Sequence, residues 1–238
     1  MTAILALTAR QLGGSRRLWL VLALVSLPVL GAVLFHVADS TTPSNEFADG
    51  ITATLVASGI LPLVMLLLAT SALGNELSDR TLGYLVLKPV PRWRIAAPKL
   101  FASVLVGGVP VAVSGFLAVA IIENGDVAGA AATGVGLLIG AAAYGAIFTW
   151  AGLATRHALI FGLIYVFIWE ASLAAYLDGI RFLSVRQFTL ALISGLDGTR
   201  LATLDLSLST SAGAVGATIV IVGFALLTVR KLARIDVP

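Results

Sequence analysis

One carboxylate stands alone in a long apolar run: Glu170, in "ALIFGLIYVFIWEASLAAYL". Counted from Ala158 it lies about 18 Å along a helix, past the bilayer midplane. Charge at that depth is expensive and marks pathways, binding sites or titrating groups. Glu170 could line a pathway, hold a cationic group or take up a proton. It could equally be a structural carboxyl tied to a neighbouring helix, with Trp169 and Tyr176 at the interface. The sequence leaves both readings open. A second charged group, Glu76, Asp79 and Arg80, sits in "GNELSDRTLGYLVLKPVPRWRIAAPKL", with more than twenty uncharged residues on either side. Covalent chemistry has little to work with. There is no cysteine. His36 and His157 lack metal-ligand spacing. No Ser/His/Asp set or pair of acids converges on one site, which argues against an intramembrane enzyme. The phosphate-cradling pattern G-x-x-x-x-G-K-[ST] does not occur, so the chain carries no such ATP site of its own.

The elements that must position these groups follow from composition. The chain has 238 residues, of which 59% are apolar and 11% charged, and its mean hydropathy is +1.03. A soluble domain carries roughly 25% charged residues. This composition predicts an all-α integral membrane protein forming a single permease domain, 1–238. The net charge of +3, dispersed in short loops, indicates orientation and lipid contact, with no nucleic-acid surface. Uncharged runs predict six transmembrane helices: 18–37, 51–73, 100–122, 127–154, 158–177 and 208–229. The first run is retained as a span, since it shows no convincing cleavage site.

Twelve of the fifteen Lys and Arg residues fall on the flanks that share a side with the two termini; only Arg181, Arg186 and Arg200 fall opposite. The positive-inside rule therefore places both termini and the 74–99 loop in the cytoplasm of a multi-pass cell membrane protein. Residues 1–14 mix Ile4, Leu5 and Leu12 with Arg10, as an interfacial helix would, hinged at Gly13-Gly14. Residues 178–207 read as one or two short outside helices dipping into the bilayer, or as an amphipathic surface helix. Gly136 and Gly140 in the fourth span permit close helix approach, more naturally within one bundle than across a dimer seam.

At 100° per residue Glu76, Asp79 and Arg80 occupy about a 100° arc. Apolar residues fill most of the remainder, so 73–88 predicts an amphipathic helix with a narrow charged face. Pro89 and Pro91 end it, and Arg92, Trp93 and Arg94 suit the headgroup layer. Pro98 and Lys99 stand near the opening of the next span, where proline is tolerated. Physics alone leaves this helix readable as inert or as a lever through which a soluble partner moves two spans.

The run "NELSDRTLGYLVLKPVPRWRIAAPKL" resembles the cytoplasmic loop of ABC-2-type transporter permeases, on Glu76, Thr81-Leu82, the apolar Leu85–Leu87, Pro89-Val90-Pro91-Arg92 and Lys99. The six-span layout resembles the family too. Arg80 departs from the glycine common there, and Pro91 from a serine or threonine. The resemblance implies a coupling helix, carried here by Glu76, Asp79, Arg80, Thr81, Leu82, Tyr84, Pro89 and Arg92, that docks on a separate ATP-binding subunit. Two such subunits, which would hold the ATP and Mg, would pair with two permease chains as a homodimer or heterodimer, the permeases touching through spans 1 and 5. The assembly would be an ATP-driven exporter with Glu170 as a candidate pathway residue. The alternative is a non-transporting scaffold or regulatory subunit of the same fold.

Overall fold

A computed structural model describes residues 7, 16–38, 42–78, 91–155, 157–173, 183–201, 204 and 208–234. The expected interfacial helix at 1–14, Leu7 apart, and most of the expected coupling segment, residues 79–90, lie outside the described residues, and so does 174–182. No strand occurs among the described residues. The described residues contain the following helices in order. α1 is Arg16–Val37. α2 runs through Ser44–Gly50, Ile51–Ile60 and Leu61–Ser78. α3 runs through Trp93–Ser103, Val104–Gly108 and Val109–Ile122. α4 is Val127–Ala154, α5 runs through Ala158–Ile164 and Tyr165–Leu173, α6 is Val185–Leu196, and α7 is Thr210–Ala233. Five of these, α1, α2, α3, α4 and α7, are long and apolar enough to cross a membrane; α5 and α6 are shorter apolar helices within the described residues.

Two helices begin earlier than the apolar runs suggest. α2 starts about two turns before Ile51 because Pro43, with φ −56°, presets its entry. α3 starts at Trp93, so Pro98 lies inside the helix rather than in its first turn. The first amides are satisfied as the helix opens, Arg94 N donating to Pro91 O at 2.9 Å and Ile95 N to Arg92 O at 3.0 Å.

The stretches Ile51–Ile60 and Val104–Gly108 are wide, π-type turns. Each ends just before a proline, Pro62 or Pro110. A proline offers no N–H to the carbonyl four residues back and clashes with it. A locally widened register accommodates that defect without breaking the rod. Ser58 Oγ then donates to Ala53 O at 2.6 Å, the five-residue step of a π turn.

α4 is the central rod and packs against α2, α3, α6 and α7. Its small residues explain why. A Cβ on Gly136 would meet Ile193 of α6, and one on Gly140 would meet Thr189 of α6 and Leu61 of α2. The glycine pair thus faces the interior of this bundle. The main core gathers Val64, Leu68, Leu137, Tyr144, Phe148 and Ile193 around it. α6 buries Val185, Phe188, Leu190 and Ile193, packing between α4 and α7 rather than lying as a surface helix.

Candidate functional site

Three polar clusters fix the helices to one another. The first lies where α2 leaves the bundle and α3 re-enters it. Lys99 is 1% exposed, and its ammonium donates to Ala72 O of α2 at 2.7 Å. A buried lysine is costly unless hydrogen-bonded, so this contact ties α3 to α2. The sequence puts Lys99 near the opening of the span, among the orienting loop charges; the longer α3 instead turns it inward. One turn on, Ser103 Oγ donates to Lys99 O at 3.0 Å. Beside it α2 crosses α4 through glycine. A Cβ on Gly152 would overlap the Thr70 carbonyl, and one on Gly74 would stand 3.3 Å from Gly152 O. Leu73, Ala96, Leu153 and Leu232 close the layer, drawing in α7. Both helices that flank residues 79–90 therefore belong to one tightly packed block.

Of the predicted coupling residues, Arg92 stands described at the entry to α3, half-buried. Glu76 lies in the last helical turns of α2, Leu61–Ser78, and its side chain is outside the description. Asp79, Arg80, Thr81, Leu82, Tyr84 and Pro89 fall in 79–90, outside the described residues.

The second cluster surrounds Glu170, which is fully buried. Its carboxylate accepts from Tyr165 Oη at 3.1 Å, from Ser184 Oγ at 2.5 Å and from Val185 N at 3.0 Å. Helix N-termini leave amides without partners and attract negative charge. Glu170 fills that role for α6 from a neighbouring helix, while Ser184 Oγ also accepts from Gln187 N at 3.3 Å. Close by, Arg186 Nε donates to the Ala53 carbonyl of α2 at 3.4 Å. The carboxylate is thus a tie between α5 and α6. Glu170→Gln should lower the stability of the purified chain by about 1–3 kcal/mol, since Val185 N or Ser184 loses a charged acceptor. Transport per folded molecule should stay close to that of the parent chain. Transport lost at an unchanged melting temperature would instead assign Glu170 to the pathway.

The third cluster sits at the opposite end of the bundle from Lys99. The Arg200 guanidinium, 1% exposed, pairs with Asp49 of α2 at 2.9 Å and with Glu123 at the end of α3. A turn after α6 delivers it. Asp197 accepts from Thr199 N at 3.0 Å and Thr199 Oγ1 at 2.7 Å, contacts that hold its carboxyl below its ordinary value. Arg200 N bonds to Asp197 O at 3.1 Å. Leu201 then takes φ +60°, a conformation unfavourable for a branched residue, and is buried in the core. The Arg200 side chain crosses the N-terminus of α4 because Gly129 has no Cβ to obstruct it. Asp126 caps that terminus, accepting from Ala128 N at 3.2 Å and Gly129 N at 3.1 Å. Burial pushes the Glu123 carboxyl up, Arg200 opposes the rise, and Asp126 and Asp49 add to it. The sequence reading treated these charges as dispersed outside-loop residues and missed the cluster. Asp49 in a helix turn among apolar neighbours was the one available hint.

The sequence profile of ABC-2 family transporter proteins matches residues 15–177, more than half of the chain. The chain belongs to the ABC-2 transporter family. No curated protein matches the sequence. The ABC-2 match spans α1 to α5, the Lys99 block and the whole 79–90 segment, and stops before α6 and α7. As an ABC-2 family member with five membrane-capable helices among its described residues, the chain is a multi-pass membrane transport component, a permease.

Proposed function

We propose that this permease is the membrane-spanning subunit of an ATP-driven exporter in the cell membrane. Residues 74–99 face the cytoplasm and couple it to a separate ATP-binding subunit. The observation that carries the reading is the block at the base of α2 and α3. The helix Leu61–Ser78 runs straight into the 79–90 segment and Trp93–Ser103 leads out of it. Lys99 binds α3 to α2, and the Gly152–Thr70 crossing binds α2 to α4. A push on the segment is then delivered to three helices together, because packed interiors transmit displacement instead of absorbing it. Twelve cations on that side of the chain support the cytoplasmic orientation.

The ATP and Mg belong to two copies of the ATP-binding subunit, and a second permease chain, identical or related, completes the assembly. The outward apolar faces of α1 (Trp19, Leu27, Leu34) and of α5 (Phe161, Phe167, Ile168) are exposed and suit that pairing. Within the coupling segment Glu76, Asp79, Arg80, Thr81, Leu82 and Tyr84 form the docking helix, and Pro89 and Arg92 set its exit.

The test is charge reversal, Glu76→Lys with Asp79→Lys. The expected result is loss of the ATPase from pull-downs and loss of transport, with helix content and elution of the permease unchanged. Retained pull-down and transport would move the docking surface elsewhere. ATP turnover by the reconstituted complex that ignores every candidate substrate would favour a scaffold role.

A further inference from the structure

The walls of α3, α4 and α7 enclose an apolar groove of about 860 Å³. It runs from Trp93 to Val109 on α3, about 24 Å at 1.5 Å per residue. One leaflet's hydrocarbon is about 15 Å deep, so the groove is long enough for one acyl chain. Phe101, Leu105, Leu138 and Leu226 stand exposed along it, so it opens sideways on the bundle surface. Bulk lipid would fill any such groove. Two further observations make this one selective.

The first is Thr149, a wall residue that is 2% exposed and whose hydroxyl has no hydrogen-bond partner. Threonines in helices ordinarily donate to the carbonyl one turn back, as Thr228 across the groove does to Phe224 O at 2.8 Å. Thr149 makes no such bond, and a buried hydroxyl left unpaired is costly. It lies about a turn and a half from the end of α4, near the depth where a glycerolipid carries its ester carbonyls. The second is the mouth at that same end. Arg94 stacks on Trp93 at 5.5 Å from the ring centroid, and Arg230 and Lys231 follow Val229 on the last turn of α7, all exposed. Cations beside an interfacial Trp attract an anionic headgroup.

We infer that this groove is a binding site for one anionic glycerophospholipid. One acyl chain lies between α3, α4 and α7, an ester carbonyl accepts the Thr149 hydroxyl proton in a hydrogen bond, and the phosphate is held between Arg94 and Arg230. The site requires a bundle in a bilayer and does not depend on the coupling reading.

Native mass spectrometry of the full chain released from micelles tests this, with phosphatidylglycerol and phosphatidylcholine supplied in equal amounts. One phosphatidylglycerol per chain should be retained, favoured by about tenfold, the scale that charge-assisted contacts supply. Arg94→Ala with Arg230→Ala should erase the preference between the two lipids. Thr149→Val, which keeps the side-chain shape, should lower retention of both without lowering the melting temperature in lipid-free detergent. Ala142→Trp, which projects a ring into the groove, should abolish retention. Equal retention of the two lipids by the parent chain, or retention indifferent to Thr149→Val and Ala142→Trp, overturns the site. Conversion of a dimer to a monomer by Ala142→Trp also overturns it, because the groove would then seat a second copy of the chain.

Discussion

Replacing Arg200 by methionine should destabilise the chain by about 3–5 kcal/mol, the usual cost of stripping one partner from a buried ionic group. Asp49, 2% exposed, and the partly buried Glu123 would remain beside Asp126 without the guanidinium that pairs with both. The check is the melting temperature of the detergent-purified chain. The effect should also depend on pH in one direction. Burial already raises the Glu123 carboxyl and Arg200 is the force opposing that rise, so its removal should raise it further. An acid whose folded pKa lies above its unfolded one stabilises below the unfolded value and loses that contribution as pH rises through the folded value. The Arg200→Met deficit should therefore shrink in acid and widen toward alkaline pH. The triple change Asp49→Asn, Glu123→Gln, Arg200→Met should recover most of the loss, because it removes the buried charges together. A single variant as stable as the parent chain would show that the cluster is solvated and not a clasp.

The second large effect concerns Gly152. Gly152→Val puts a Cβ onto the Thr70 carbonyl, with Thr70 Cα only 2.9 Å away. Both are backbone atoms, so no rotamer change relieves the overlap and α2 must move off α4. Overpacking of this kind costs about 1–3 kcal/mol. A functional loss should accompany the structural one. The crossing links the helix that leads into residues 79–90, the proposed coupling segment, to the central helix, and couplings between sites typically carry about 1–3 kcal/mol, or 5–150-fold. Transport per folded chain in reconstituted vesicles should fall by about tenfold or more on that scale, while ATPase pull-down persists. Gly223→Ala on α7 is the matched control, since a Cβ there meets nothing within 4 Å. Equal transport by Gly152→Val and Gly223→Ala would mean that motion passes through some other contact.

These two residues mark where sequence reasoning stopped. Long uncharged runs gave the membrane class and the positions of α1 to α4 and α7, because hydrophobic length is a local property written in consecutive residues. The loop motif gave the family for the same reason. Arg200 was read as a dispersed outside-loop charge, and nothing nearby contradicts that; its partners Asp49 and Glu123 lie far back in the chain. Lys99 reads as an orienting charge at the opening of a span because hydropathy starts α3 at Leu100, and an amphipathic first turn does not register there. Glu170 was recognised as anomalous, but its partners, Ser184 and the Val185 amide, belong to a segment with no periodic signal linking it to α5. Partnership across helices is a property of the packed state, and no window along the chain contains it.

The paired wide turns before Pro62 and Pro110 acquire a mechanical meaning once the two ends are considered together. Lys99 fastens α3 to α2 at one end, and Arg200 fastens Asp49 of α2 to Glu123 of α3 at the other. Struts riveted together at both ends cannot slide past one another; under load they can only bow. The compliance must then sit between the rivets, where the register is loosest, at Ile51–Ile60 and Val104–Gly108. A stroke at the base would be felt as a change of curvature at mid-depth, with the far clasp still shut.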